Sequence, residues 1–124
     1  IHFLNKLLDS NFQILVLTNI PFKYLDDRKH CFQKNGLNLQ IIAGNGPKGL
    51  VIKELIRDFK EKVFFIDDLA PHISSVKEEV SRSKTIHYIS DERLSKLAVS
   101  PKEADFRAYS WKDIYNFLIN EVSG

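Results

Sequence analysis

Four short apolar runs divide the chain, and each is followed by a stretch with helical spacing. The runs lack the alternation of apolar and polar residues that marks a half-exposed strand, so they predict strands covered on both faces. The predicted strands cover residues 14–17, 39–42, 63–66 and 85–89. Because strands and helices alternate, the pattern predicts right-handed parallel crossovers and a three-layer α/β fold in a single domain, residues 1–124.

Glycine and proline mark where the first helices begin and end. Gly36 suits the left-handed cap of a helix over residues 22–35. Pro47 and Pro71 each open a helix, because the amide donor that proline lacks is not needed there. The helix after Pro47 has its apolar residues at helical steps, which predicts a buried face made of Leu50, Ile52, Leu55, Ile56 and Phe59.

The two ends of the chain are also predicted to be helical. Residues 1–9 carry an apolar stripe, and Ser110 with Asp113 forms a capping box for a helix over residues 111–122. Residues 92–109 are the least regular part, with a short helix, a proline and mixed charges.

Composition and charge narrow the possible classes of protein. Apolar residues make up 44% and the net charge is +2, which gives no sign of a nucleic-acid partner. No apolar run approaches the roughly 18 residues of a membrane span, so we expect no membrane association. The lone Cys31 cannot form an internal disulfide, which favours a reducing, cytoplasmic location. The chain lacks methionine and begins at Ile1, which indicates a processed product or a piece of a longer reading frame.

Polar residues that suit a phosphate and a metal ion follow three of the predicted strands. Thr18 and Asn19 end the first strand, and the second leads into a glycine-rich segment with Lys48 at a helix N-terminus. Asp67 and Asp68 end the third, and carboxylate oxygens are the ligands that Mg²⁺ prefers. Ligands of open parallel sheets bind at the carboxyl ends of the strands. The sequence therefore predicts a site for a phosphate beside Mg²⁺.

Each of these features also has a purely structural interpretation. Thr18 and Asn19 form an ordinary turn pair, Lys48 suits a solvated first helical turn, and Asp68 could cap the helix that follows it. The four histidines lack zinc-ligand spacing, and His72 beside the aspartate pair suits a surface or capping role.

Three segments of the chain resemble motifs two, three and four of the haloacid dehalogenase-like (HAD) hydrolases. They are ILVLTN at 14–19, GPKG at 46–49, and VFFIDD at 63–68 with PHISSV at 71–76. The resemblance implies that Thr18 binds the phosphoryl group, that Lys48 offsets its charge, and that Asp67 and Asp68 hold Mg²⁺. Asn19, beside Thr18, is expected to bind phosphate through its amide. Thr18 and Lys48 would then be catalytic in a phosphatase acting on a phosphorylated small molecule through an aspartyl-phosphate.

The chain departs from this family in its first motif, an apolar strand that ends in Asp-x-Asp and supplies the nucleophile. No Asp-x-Asp occurs in the sequence. The expected fold is therefore a HAD-like, Rossmann-like parallel sheet without its central motif-one strand. We expect the chain to be catalytically inactive by itself. Open sheet edges would favour self-association, so we expect a chain that forms a homodimer or is unstable alone.

Two alternatives compete with a phosphatase fragment. One is a non-catalytic HAD-like binding or structural domain that has lost the nucleophile. The other, a receiver domain, is excluded by the order of the site residues along the chain. In a receiver domain the acid pair precedes the threonine and the lysine, whereas here Thr18 and Lys48 precede Asp67 and Asp68. The substrate stays open, and phosphonatase, dehalogenase and phosphomutase chemistries stay open beside the favoured phosphatase.

Overall fold

A computed structural model describes residues 2–10, 12–18, 25–34, 40–43 and 48–123. The elements alternate along the chain as α1 (His2–Asp9), β1 (Leu15–Thr18), α2 (Leu25–Lys34), β2 (Gln40–Ala43), α3 (Lys48–Leu55), β3 (Phe64–Asp67), α4 (Ala70–Glu79), β4 (Lys84–Tyr88), α5 (Glu92–Leu97), β5 (Phe106–Ala108) and α6 (Trp111–Ser123). The four predicted strands are confirmed, each bound differing from its prediction by one residue. None of the described helices is long and apolar enough to cross a membrane.

The elements fall into two compact units, Ile1–Gly46 and Pro47–Gly124. In the first unit β1 and β2 pair in parallel, with Val16 opposite Ile41, and Leu7 of α1 is buried. In the second unit β3, β4 and β5 form a three-stranded parallel sheet in that order. This sheet with its flanking helices is an α/β arrangement compatible with a Rossmann-like fold.

Helices cover both faces of the three-stranded sheet. Phe64 and Asp67 are an odd number of residues apart on β3, so their side chains point to opposite faces. On the Phe64 face, the ring of Phe117 from α6 lies 6.5 Å from Phe64 and 4.4 Å from Phe106. On the opposite face, Asp67 contacts Lys48 at the start of α3. The core between these layers contains the fully buried side chains of Ile73, Val76, Ile86, Ala108 and Ile114.

The apolar pattern of the sequence does not predict strand β5. Its three residues pair with β4, with Arg107 opposite His87 and Ala108 opposite Tyr88. The strand is stabilised by its pairing with β4 and by packing against α6. It was not predicted because the charged Arg107 at its centre leaves no apolar run in the sequence.

The predicted buried face of the helix after Pro47 is partly wrong. Leu50 is 59% exposed and Leu55 44% exposed, whereas Gly49 and Ile52 are buried. The helix packs through Gly49 because α4 approaches its backbone there. The predicted capping box at α6 is present in altered form: Asp113 N donates to Ser110 Oγ, and the Asp113 carboxylate accepts from Tyr109 N.

Within the three-stranded sheet of the second unit, β3 is an end strand that pairs with β4. An edge strand of this kind offers unpaired backbone groups to another strand. The predicted homodimer needs such an edge, and its formation stays a prediction.

Asp105 joins the amino ends of β4 and β5. Its Oδ2 accepts from Lys77 Nζ at 2.9 Å and from Thr85 N at 2.8 Å. Burial raises the pKa of Asp105, but the hydrogen bonds from Lys77 and Thr85 and the lysine charge outweigh it and hold the pKa below its usual value. The ionised form is therefore favoured in the folded chain.

We expect Asp105 to make the fold sensitive to acid. A carboxyl group whose pKa is lowered by folding stabilises the fold above its unfolded pKa, and that contribution disappears as the pH falls through the folded pKa. Solvent screening of this partly exposed pair limits the effect to about 1 kcal/mol. Asp105→Asn should therefore lower the free energy of unfolding at pH 7, with a difference from wild type that shrinks between about pH 5 and about pH 2. Urea unfolding measures both values; a difference that does not change with pH would contradict the prediction.

Candidate functional site

Lys48 and Asp67 form an ion pair at the carboxyl end of the three-stranded sheet. Lys48 Nζ lies 2.8 Å from Asp67 Oδ2, and the two side chains are 14% and 6% exposed. Lys48 is the first residue of α3 and Asp67 the last residue of β3. A cation from a helix start thus meets an anion from a strand end at the edge where open parallel sheets bind ligands.

The second oxygen of Asp67 is held by the turn that follows β3. Leu69 N donates to Asp67 Oδ1 at 2.8 Å, while Asp68 between them is exposed. Burial raises the pKa of Asp67, but the hydrogen bond and charge of Lys48, the Leu69 amide and Asp68 together lower it below its usual value. Asp67 is therefore kept as a carboxylate, the form that binds a cation.

Lys48 is positioned by a close approach between α3 and α4. Gly49 N donates to Ser75 Oγ at 3.0 Å, and a Cβ on Gly49 would lie 2.2 Å from the backbone oxygen of Ser75. Only glycine permits this separation of the two helices. The start of α3, and Lys48 with it, is thereby fixed against α4 near the end of β3.

The structure brings together three of the five residues predicted for the site. Lys48, Asp67 and Asp68 lie in the second unit, with Lys48 in contact with Asp67. Thr18 is the last residue of β1 in the first unit, so its participation in the same site stays a prediction. Asn19 and the glycine-rich residues 44–47 lie outside the described residues.

The carboxylates at this edge suit Mg²⁺ only as part of a larger set of ligands. Within the described residues no group of three or more His, Cys, Asp or Glu side chains is arranged to hold a metal ion. Mg²⁺ commonly uses one or two protein carboxylates and completes its shell with water and phosphate oxygens. Asp67 and the exposed Asp68 are two carboxylates, the number that this mode uses, and magnesium binding by them stays a prediction.

Sequence reasoning missed a buried histidine beside this turn. His87 is 1% exposed, and its Nε2 lies 3.0 Å from the main-chain oxygen of Asp68. Its Nδ1 lies 2.7 Å from Ser100 Oγ, and this oxygen accepts from Arg107 Nη1 at 3.0 Å. A histidine inside an apolar strand was the available signal, but its partners depend on strand register.

Comparisons with known proteins give no family for this chain. No protein-family model, no curated protein and no solved structure matches it. A function is therefore inferred from the geometry of the second unit and from the resemblance of the three segments.

Proposed function

We propose that this chain carries the phosphate- and metal-holding part of a HAD-like, Mg²⁺-dependent phosphatase acting on phosphorylated small molecules. The observation that supports this most is the Lys48–Asp67 ion pair of 2.8 Å at the carboxyl end of the sheet. The pair joins Lys48, from the segment that resembles motif three, to Asp67, from the segment that resembles motif four. The two residues are 19 positions apart in sequence.

Charge accounts for the need for a metal. Lys48 contributes one positive charge, and Asp67 and Asp68 contribute one negative charge each, so the three side chains sum to −1. A phosphate would be repelled by that sum unless a divalent cation reversed it. Bound Mg²⁺ would polarise the phosphoryl oxygens, while Lys48 would stabilise the charge that develops on them. Phosphate binding by this chain should therefore depend on Mg²⁺.

The covalent step needs a group that these residues do not provide. An aspartyl-phosphate requires a nucleophilic carboxylate, and the sequence has no Asp-x-Asp. In the proposal, Lys48, Asp67 and Asp68 hold the phosphate and the metal but supply no nucleophile. The chain alone should bind phosphate without hydrolysing its esters.

One observation favours the alternative of a non-catalytic domain. Both carboxylate oxygens of Asp67 already accept from protein donors, Lys48 Nζ and Leu69 N. Such a carboxylate can form a purely structural ion pair that connects α3 to β3 without any ligand. A domain with only this structural role would bind neither Mg²⁺ nor phosphate.

Calorimetric titration with Mg²⁺ and inorganic phosphate separates the two functions. The phosphatase proposal predicts phosphate binding only when Mg²⁺ is present, weakened about tenfold or more by Asp68→Asn, because the lost carboxylate is an exposed metal ligand. Asp58→Asn is the matched control. Asp58 is an exposed aspartate in the turn between α3 and β3, toward the amino end of the sheet, and its replacement should change nothing.

A second comparison uses ion pairs in place of single acids. Lys48→Met should abolish Mg²⁺-dependent phosphate binding, whereas Lys77→Met, which breaks the 2.9 Å pair with Asp105 at the amino ends of the strands, should leave it intact. Circular dichroism establishes that each variant is folded. No phosphate binding by the wild-type chain at any Mg²⁺ concentration would overturn the proposal in favour of the structural alternative.

A further inference from the structure

His87 lies between the candidate site and the half-buried Arg107. On adjacent strands, Asp67 is the register partner of His87, and His87 is the register partner of Arg107. Register partners on parallel strands point to the same face, so the three side chains form a row across the sheet. His87 occupies the middle of this row and is 1% exposed.

The hydrogen bonds along this row have one consistent direction. Arg107 can only donate, so Ser100 Oγ accepts from Arg107 Nη1 at 3.0 Å. A main-chain oxygen can only accept, so the hydrogen of the His87 ring lies on Nε2 and is donated to Asp68 O at 3.0 Å. Nδ1 then accepts the Ser100 hydroxyl hydrogen across 2.7 Å. The acceptor-only oxygen of Asp68 thus determines the tautomer of His87, and the Ser100 hydroxyl, which can donate, matches it.

The peptide unit between Asp68 and Leu69 links His87 to the Asp67 carboxylate, because it is hydrogen-bonded to both. In a trans peptide the carbonyl and the amide hydrogen point in opposite directions. The carbonyl of Asp68 is bonded to His87, and the amide of Leu69 donates to Asp67 Oδ1 at 2.8 Å. Rotation of this peptide plane would break both hydrogen bonds together, so holding the carbonyl also holds the amide.

We propose that His87 is a positioning residue for Asp67: by fixing the Asp68–Leu69 peptide it orients the carboxylate that pairs with Lys48. The inference rests on the proposed function, in which Asp67 holds Mg²⁺ beside a phosphate. His87 touches neither metal nor phosphate in this account. It acts through one peptide unit, and Ser100 and Arg107 support it from the opposite side of the ring.

Two substitutions separate positioning from simple packing. The side-chain nitrogen of glutamine can replace Nε2 of histidine, so His87→Gln retains the donor to Asp68 O. Asparagine reaches only as far as Nδ1, so His87→Asn retains a group near Ser100 and loses the donor to Asp68. The two variants have similar polarity and differ in which of the two hydrogen bonds they preserve.

Hydrogen exchange of the Leu69 amide, followed by NMR without metal or phosphate, measures the effect on the turn. His87→Asn should speed exchange of Leu69 about tenfold, and His87→Gln should stay near wild type. The Thr85 amide, which donates to the Asp105 carboxylate at 2.8 Å on the same strand as His87, is the internal control and should not change. Ser100→Ala provides a second variant if His87→Asn does not fold, with faster Leu69 exchange and unchanged Thr85 exchange expected.

Equal acceleration at Leu69 and Thr85, or equal effects of the two His87 substitutions, would overturn the inference, because His87 would then act on strand stability alone. Titration with Mg²⁺ and phosphate provides the second measurement: affinity should fall about tenfold in His87→Asn and recover in His87→Gln. Unchanged affinity in His87→Asn would also overturn the inference. Absence of binding by the wild-type chain would overturn the proposed function alone, since the exchange measurement uses no ligand.

Discussion

Gly49→Ala should destabilise the chain by about 3 kcal/mol, although the same change in most helices is stabilising by about 1 kcal/mol. The reason is that no space for a side chain exists between Gly49 of α3 and the backbone of α4. A Cβ at this position would lie 2.2 Å from the oxygen and 2.7 Å from the carbon of the Ser75 carbonyl. Both are backbone atoms of a helix and cannot rotate aside, so α3 and α4 must separate. Urea unfolding at pH 7 gives the change in the free energy of unfolding.

Two controls isolate the backbone contact. Leu50→Ala changes the next residue of the same helix, which is 59% exposed, and should alter stability by less than about 0.5 kcal/mol. Ser75→Ala removes the hydroxyl, whose oxygen would also lie 2.7 Å from a Cβ on Gly49, but leaves the carbonyl in place. Gly49→Ala should therefore remain strongly destabilising in a Ser75→Ala background. Full rescue by Ser75→Ala would show that the flexible hydroxyl, and not the backbone, sets the limit.

The role of Gly49 illustrates what the sequence alone does not reveal. By sequence, the glycine-rich segment suits a phosphate-binding loop, because glycines before a helix favour an anion. In the structure the amide of Gly49 donates to Ser75 Oγ, and the glycine serves close packing of two helices. A glycine needed for packing and one needed for a ligand look alike in sequence, and only the neighbouring helix distinguishes them.

Elements with strong local signals were predictable, and those formed by pairing were not. The apolar run before Asp67 and the proline after it were sufficient to predict β3 and α4, and α4 has Pro71 in its first turn. Strand β5 has Arg107 at its centre and exists through its pairing with β4. The same reasoning explains why the site was predicted in part. Lys48 and Asp67 follow from element ends, whereas His87 depends on the register of three strands.

Lys48→Met should destabilise the chain by about 3 kcal/mol, because it leaves a buried carboxylate without its cation. The Asp67 side chain is 6% exposed, and of its two donors, the Lys48 ammonium and the Leu69 amide, it would retain only the amide. Asp67→Asn removes the charge and should cost less, about 2 kcal/mol, since an amide oxygen can still accept from Leu69. Unfolding by urea in metal-free buffer measures both variants.

The double variant decides whether the two side chains act as a pair. With the carboxylate replaced, Lys48→Met no longer strands a buried charge, so we expect the double variant to be about as stable as Lys48→Met alone, a coupling of about 2 kcal/mol. The same cycle on Lys77 and Asp105 is the matched control. That pair has a similar separation of 2.9 Å, but both side chains are 25% exposed, so its coupling should stay below about 1 kcal/mol. Equal coupling in the two cycles would mean that burial does not strengthen the Lys48–Asp67 pair. A larger coupling at Lys48–Asp67 would show that the carboxyl end of the sheet holds a desolvated lysine beside a carboxylate when no ligand is bound. A charged group already held in place before the ligand arrives is the preorganisation that a phosphate site requires.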